Sequence, residues 1–202
     1  MRTQQYPFFA SSDGYFLNRI YYDSKLSKTS RFFEIAYLNE KDTKDWLSNL
    51  EKESSIKAYK LSENQINTIW KYLGGSVWEI TSVLGELISY AKNEKIDNVD
   101  LINVIQELIK INKGKFHYYA RINKSKRALF KQILLIQNKK KEFSEIDLEL
   151  LVDNGLYIEE TLIDELSNLV RLNFLTFNPT TSFYSLQGNS MFYGLQEYIQ
   201  GC

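Results

Sequence analysis

From residue 39 onward, apolar positions recur every three or four residues, the period of a helix with one buried face. NEKDTKDWLSNL carries its acids early, where they suit the positive end of a helix, and sets Trp46, Leu47 and Leu50 on one side. Ser62 and Gln65 form an S-x-x-Q capping box that opens a second helix with Ile66, Ile69, Trp70 and Leu73 as its stripe. Gly74 is placed to end it as a glycine C-cap. A third helix is predicted over residues 77–91, with Trp78, Ile80, Val83, Leu84, Leu87 and Ile88 as its apolar positions. Asn98 or Asp100 is positioned to cap a fourth, carrying Leu101, Val104, Ile105, Leu108 and Ile109.

The last third has a different rhythm. Helices are predicted over residues 125–137, 143–155 and 158–172. NFLTF, the turn NPTT and SFYSL then read as a β-hairpin. Helix, helix, helix, hairpin is the order of a winged helix-turn-helix, and an amphipathic segment over residues 190–199 follows it. Near the start, YPFFASS (residues 6–12) and RFFEIAYL (residues 31–38) read as two short strands joined by a loop. Proline occurs only as Pro7 and Pro179. With so many periodic segments, the fold class expected is mainly α with a small β content.

Charge changes this picture locally. Lys and Arg balance Asp and Glu at 25 each, so no global field draws the chain to nucleic acid or membrane. Residues 111–141 nevertheless hold many cations and no acid, while residues 142–172 are acidic with Arg171 as their single cation. The stretch KGKFHYYARINKSKR interleaves cations with aromatics, as single-strand binders do. Lys115, Tyr118, Tyr119, Arg121, Lys124, Lys126 and Arg127 are the candidate nucleic-acid residues; a solvated linker helix is the plainer reading. The third helix of the winged unit opens with Glu159, Glu160, Asp164 and Glu165, which would repel a DNA backbone and argue against major-groove reading.

Much familiar chemistry is missing. One histidine, His117, leaves no basis for a histidine metal site or a Ser-His-Asp triad, and Cys202 is a poor nucleophile. No phosphate loop G-x-x-x-x-G-K-[ST] exists: the only Gly-Lys pair, Gly114-Lys115, is followed by Phe116, with Ile109 where the first glycine belongs. No catalytic residue and no metal site are assigned. The chain has no apolar run near the ~18–20 residues of a membrane span, and a cytoplasmic location is expected.

Five features in order resemble the archaeal-type ATPases of the STAND class within the AAA+ superfamily. FFASSDGYFLNRIY is similar to that family's sensor-1 strand and loop. KLSKTSRFFEIAYLNEKDTKDWL is similar to its "L-x-G-R … I-x-L-x-x-L" strand and first lid helix, with Arg31 at the arginine. KYLGGSVWEI resembles its lid Gly-Gly motif; the winged helix follows, and NFLTFNPTTSFYSLQGNSMFYGLQEYI resembles its terminal hairpin. The resemblance implies three parts: residues 1–38 as a remnant of the AAA+ α/β core, 39–115 as a helical lid and 116–202 as a winged-helix domain with a C-terminal helix. It also implies Ser11, Ser12, Asp13, Arg31, Gly74, Gly75 and Trp78 as nucleotide-facing positions. The family's phosphate loop and magnesium strand would precede residue 6, so the chain is similar to the C-terminal part of such an ATPase. Ser76 and Val77 stand where the family tends to place a proline, and Ser27 or Lys28 where a glycine would precede the arginine.

Complete relatives bind ATP or ADP with magnesium; for this chain no cofactor is expected. The expected function is a non-catalytic regulatory or protein-interaction module, whose partner is another protein or an ATPase half supplied separately. Nucleic-acid binding through residues 113–127 and a split ATPase are the alternatives. Gly74-Gly75 stays open between two readings: a backbone approach to a nucleotide, or a tight turn between helices.

Overall fold

The computed structural model describes residues 37–201. The strand expected over residues 6–12, the loop after it, and Ser11, Ser12, Asp13 and Arg31 lie outside the described residues. Of the strand expected over 31–38, only Tyr37 and Leu38 are described, and they form no regular element.

The described chain is mainly α-helical with one small antiparallel hairpin. Its first part is α1 (Glu40–Ser48), α2 (Leu50–Glu53), α3 (Glu63–Leu73), α4 (Val77–Leu87) and the long α5 (Asn98–Tyr119). The starts follow the local chemistry. Asn39 caps α1 by accepting from the Asp42 amide, and Ser62 and Gln65 make the full capping box of α3. Asp97, rather than Asn98 or Asp100, caps α5. The third helix is shorter than its periodicity suggests: α4 ends at Leu87 and a 3-10 turn, Ile88–Tyr90, follows. The stripe of α4 also loses two members, since Trp78 is 73% exposed and Ile88 49%. Ile80, Val83, Leu84 and Leu87 supply its buried face.

These helices share one apolar core, built from Leu47, Leu50, Ile66, Ile69, Leu73, Ile80, Leu84, Leu101, Ile105, Ile109 and neighbours. Tyr59 is buried in it and donates to the Leu84 carbonyl at 2.7 Å. Gln65 reaches across to the Ile96 carbonyl at 2.8 Å, so the buried amide is satisfied.

The second part is α6 (Lys124–Gln137), a 3-10 turn (Glu145–Leu148) running into α7 (Glu149–Asp153), α8 (Glu159–Arg171), β1 (Leu175–Asn178), β2 (Phe183–Leu186) and α9 (Asn189–Gln200). The hairpin pairs Leu175 with Leu186 through Asn178 with Phe183. Its turn is tightened by the Asn178 side chain, which accepts from the Thr180 amide at 2.9 Å. Phe143 adds an isolated bridge to β2: it donates to the Tyr184 carbonyl at 2.9 Å and accepts from the Tyr184 amide at 2.7 Å. A second core of Phe116, Leu129, Phe130, Ile133, Phe143, Leu166, Leu169, Phe174, Leu195 and Tyr198 fills this part.

Two helices serve both cores. On α5, Ile109 belongs to the first and Phe116 to the second, so this helix runs unbroken through residues 115 and 116. On α9, Met191, Leu195 and Tyr198 enter the second core, while Tyr193 packs on the first and lies 4.8 Å from Tyr72, centroid to centroid. The α9 helix runs along α5 and also touches α3, α6 and β2. Gly194 permits this approach: a Cβ there would sit 2.7 Å from Asn112 Cβ and 2.9 Å from the Lys113 nitrogen. Both contacts are on α5 itself, which has little room to move. Gly194→Ala is expected to push α9 off α5 and cost roughly 1–3 kcal/mol, read as a lower denaturant midpoint in urea unfolding followed by circular dichroism.

Candidate functional site

The glycine turn between α3 and α4 is packed from both sides. Gly74 ends α3 with φ 61°, and its amide bonds to the Trp70 carbonyl at 2.8 Å. A side chain at Gly74 would crowd Asn189, the first residue of α9, whose amide nitrogen donates to the Lys71 carbonyl at 3.2 Å. Gly75 meets the chain leading into α1: the Leu38 amide donates to the Gly75 carbonyl at 3.0 Å. A Cβ at Gly75 would lie 1.8 Å from the Leu38 carbonyl oxygen, which no side chain tolerates. The backbone does come close to something at the second glycine, and that something is the chain's own residue 38.

Ser76, the next residue, caps α4, and Glu79 in its first turn points inward with 7% of its surface exposed. Its Oε1 accepts from the Ser190 hydroxyl of α9. The Ser190 hydroxyl in turn accepts from the Asn112 side-chain amide at 2.9 Å, and Asn112 Oδ1 accepts from Lys115 Nζ at 3.1 Å. The donors therefore run one way, from Lys115 through Asn112 and Ser190 to Glu79, crossing from α5 to α9 to α4. Ser190 and Asn112 are buried, so this polar line lies inside the seam between the two cores.

Glu79 Oε2 is buried without a hydrogen-bond partner among the described residues. Gly188, with φ 86°, borders the same corner: a Cβ there would be 3.6 Å from Glu79 Oε2 and 3.8 Å from Tyr37 Oη. The first turn of α9 has no side-chain cap of its own. A carboxylate from α4, at the positive start of α9, supplies the favourable charge instead. Burial pushes the Glu79 carboxyl above its ordinary 4.5, opposed by the Ser190 hydrogen bond and by the charge of Lys115.

This arrangement clamps helices together. Ser190 has no exposed surface, and its hydroxyl is bonded in both directions, so it is not presented to a substrate. Two surface depressions, of about 440 Å³ beside Lys44 and Asn67 and about 590 Å³ beside Lys60 and Asn93, lie open to solvent and include neither Gly74 nor Glu79. Among the described residues no group of three or more His, Cys, Asp or Glu could hold a metal ion, and no helix is long and apolar enough to cross a membrane.

Of the residues expected to face a nucleotide, Gly74 and Gly75 lie together at the turn. Trp78 is on the outer side of α4, exposed instead of core-packed. The basic stretch is divided in its roles. Lys115 ends the polar line. Tyr119 packs on the second core and accepts from the Asn168 side chain of α8; burial, then the adjacent Glu165 carboxylate, raises its hydroxyl above the usual range. Lys126 lies 3.8 Å over the Tyr119 ring and 3.4 Å from Glu165 Oε1. Arg127 donates to the carbonyls of Ala120 and Arg121, closing the end of α5. Tyr118, Arg121 and Lys124 face solvent.

The residues not singled out by sequence pattern are Glu79, Asn112 and Ser190. A signal for Asn112 was present: it stands three residues after Ile109 and four before Phe116, a polar side chain on the buried phase of α5. No family model, curated protein or solved structure matches the chain.

Two outcomes follow from this geometry. The folded state holds the Glu79 proton more tightly than the unfolded chain, because burial raises its pKa. Its contribution to stability is therefore fully present below about 4.5, the unfolded value, and is lost as pH rises through the higher folded value. Urea titrations across that window should show this decline, and Glu79→Gln should flatten it. Gly75→Ala should displace Leu38 from the turn; hydrogen exchange at the Leu38 amide is expected to accelerate while the amides of α5 keep their protection.

Proposed function

We propose that the chain is a non-catalytic regulatory or protein-interaction module related to the C-terminal part of an archaeal STAND-type ATPase. In this reading residues 39–115 are the helical lid and residues 116–202 a winged-helix domain. The order α6, bridge residue Phe143, α7, α8 and hairpin supports the winged-helix assignment, with Phe143 in the place of the first short strand. The position of the glycine pair between α3 and α4 supports the lid.

The observation that carries the non-catalytic reading is the filling of the glycine turn. A backbone that approaches phosphates needs open space beside its glycines. Here Leu38 occupies that space at Gly75 and Asn189 borders it at Gly74. Glu79, in the first turn of α4, adds a carboxylate where a phosphate would need positive potential. The partner would be another protein, including an ATPase half supplied by a separate chain. Nucleic acid is the weaker partner, because Lys126, Arg127 and Tyr119 are committed within the fold and Glu159, Glu160 and Asp164 are exposed on α8.

Titration calorimetry of the purified chain with ATP and ADP, with and without magnesium, tests the proposal. No binding is expected up to millimolar nucleotide. Micromolar binding would overturn it and make the chain a nucleotide-binding half.

A further inference from the structure

The charge asymmetry of the sequence becomes two apolar patches of opposite rim charge. Ile111, Gly114 and Tyr118 are spaced by three and four along α5, which sets them on one face. Ile111 is 58% exposed and Tyr118 81%; Ile122, in the turn that follows, is 92% exposed. A Cβ at Gly114 would touch nothing within 4 Å, so another backbone has room to approach. Arg121 and Lys124 flank this stripe, are exposed, and form no ion pair among the described residues.

The second patch surrounds the start of α8. Ile158 is 62% exposed and Ile163 38%, and they lie among exposed Glu159, Glu160 and Asp164. The elements that carry the two patches meet where α8 contacts the junction of α5 and α6. Lys126, two residues from Lys124, lies 3.4 Å from Glu165, the neighbour of Asp164. Tyr119, the neighbour of Tyr118, is bonded to Asn168 of α8.

We infer that the chain self-associates, the basic apolar stripe of α5 in one copy docking on the acidic apolar start of α8 in another. Patches of opposite charge are self-complementary under a two-fold axis, which pairs each stripe with the other copy's acids twice over. The exposed isoleucines and Tyr118 supply the apolar centre, and the charges supply register and orientation. The residues involved are few, which places the contact in the small, reversible class. This association does not require the chain to be related to any ATPase.

Sedimentation equilibrium of the full chain over a range of concentration and salt tests the inference. Association is expected to grow with concentration and to weaken as salt rises. One variant carries Arg121→Glu and Lys124→Glu; a second carries Glu159→Lys, Glu160→Lys and Asp164→Lys. Each alone should associate at least about tenfold more weakly, since like charges then face each other. Mixed, they should associate with one another at least as well as the unaltered chain does with itself. All five positions are exposed, and circular dichroism will show whether each variant keeps its helices. A third variant, Tyr118→Ala with Ile122→Ser, should also weaken association without changing net charge. A chain monomeric up to about 1 mM would overturn the inference, as would association unaffected by these substitutions or unlike variants that fail to pair.

Discussion

The contact between α5 and α9 at Gly194 is the constraint on which the rest of the molecule depends. The α5 helix gives its start to the first core and its end to the second, and α9 lies against both, so the two cores meet along a shared seam. Helices usually pack about 8–10 Å apart, at a distance set by the side chains between them. Glycine at 194 lets α9 settle directly on the backbone of α5 at Asn112 and Lys113. That closeness brings Ser190, one helical turn earlier, into hydrogen-bonding range of Asn112. It also sets Asn189 against the end of α3 and Ser190 against Glu79 of α4.

The polar line in the seam is a consequence of that approach and a restriction on it. Apolar side chains tolerate sliding; a hydrogen-bonded chain of four groups does not. Removing a single member would strand a buried donor or acceptor, at roughly 1–3 kcal/mol each. The carboxylate is the least comfortable of the four, with one oxygen bonded and the other buried without a hydrogen-bond partner among the described residues. Glu79 therefore favours one relative placement of the two cores and also holds the charge that would be relieved if they parted.

The surface divides in a similar way. Cations that the sequence groups into one basic stretch go to four different uses: ending the polar line, closing a helix end, pairing with Glu165, and facing solvent. Only the last group is available to a partner. The acidic helix α8 meets this stretch through Tyr119 of α5 and Lys126 of α6, and so the basic and acidic segments of the chain are brought together.

Local chemistry alone determined most of the helices. The Ser62 capping box, the glycine stop at Gly74 and the repeating stripes of α1, α3 and α5 act within a few residues, so they are legible in sequence. The hairpin is legible for the same reason, because Asn178 makes its turn with residues two and three places on. Less was legible at the helix ends, since Asp97, Asn98 and Asp100 are all residue types that cap helices, and it is Asp97 whose side chain accepts from the Val99 amide. The outward turn of Trp78 and Ile88 was hidden too, because periodicity shows which residues share a face but not how wide a face the neighbours cover. What tertiary structure decided was which distant groups meet. Gly75 faces Leu38, Glu79 meets Ser190 111 positions away, and Asn112 meets Ser190 78 positions away. No local preference encodes such pairings; they exist only once two helices have been brought within a glycine's width of each other.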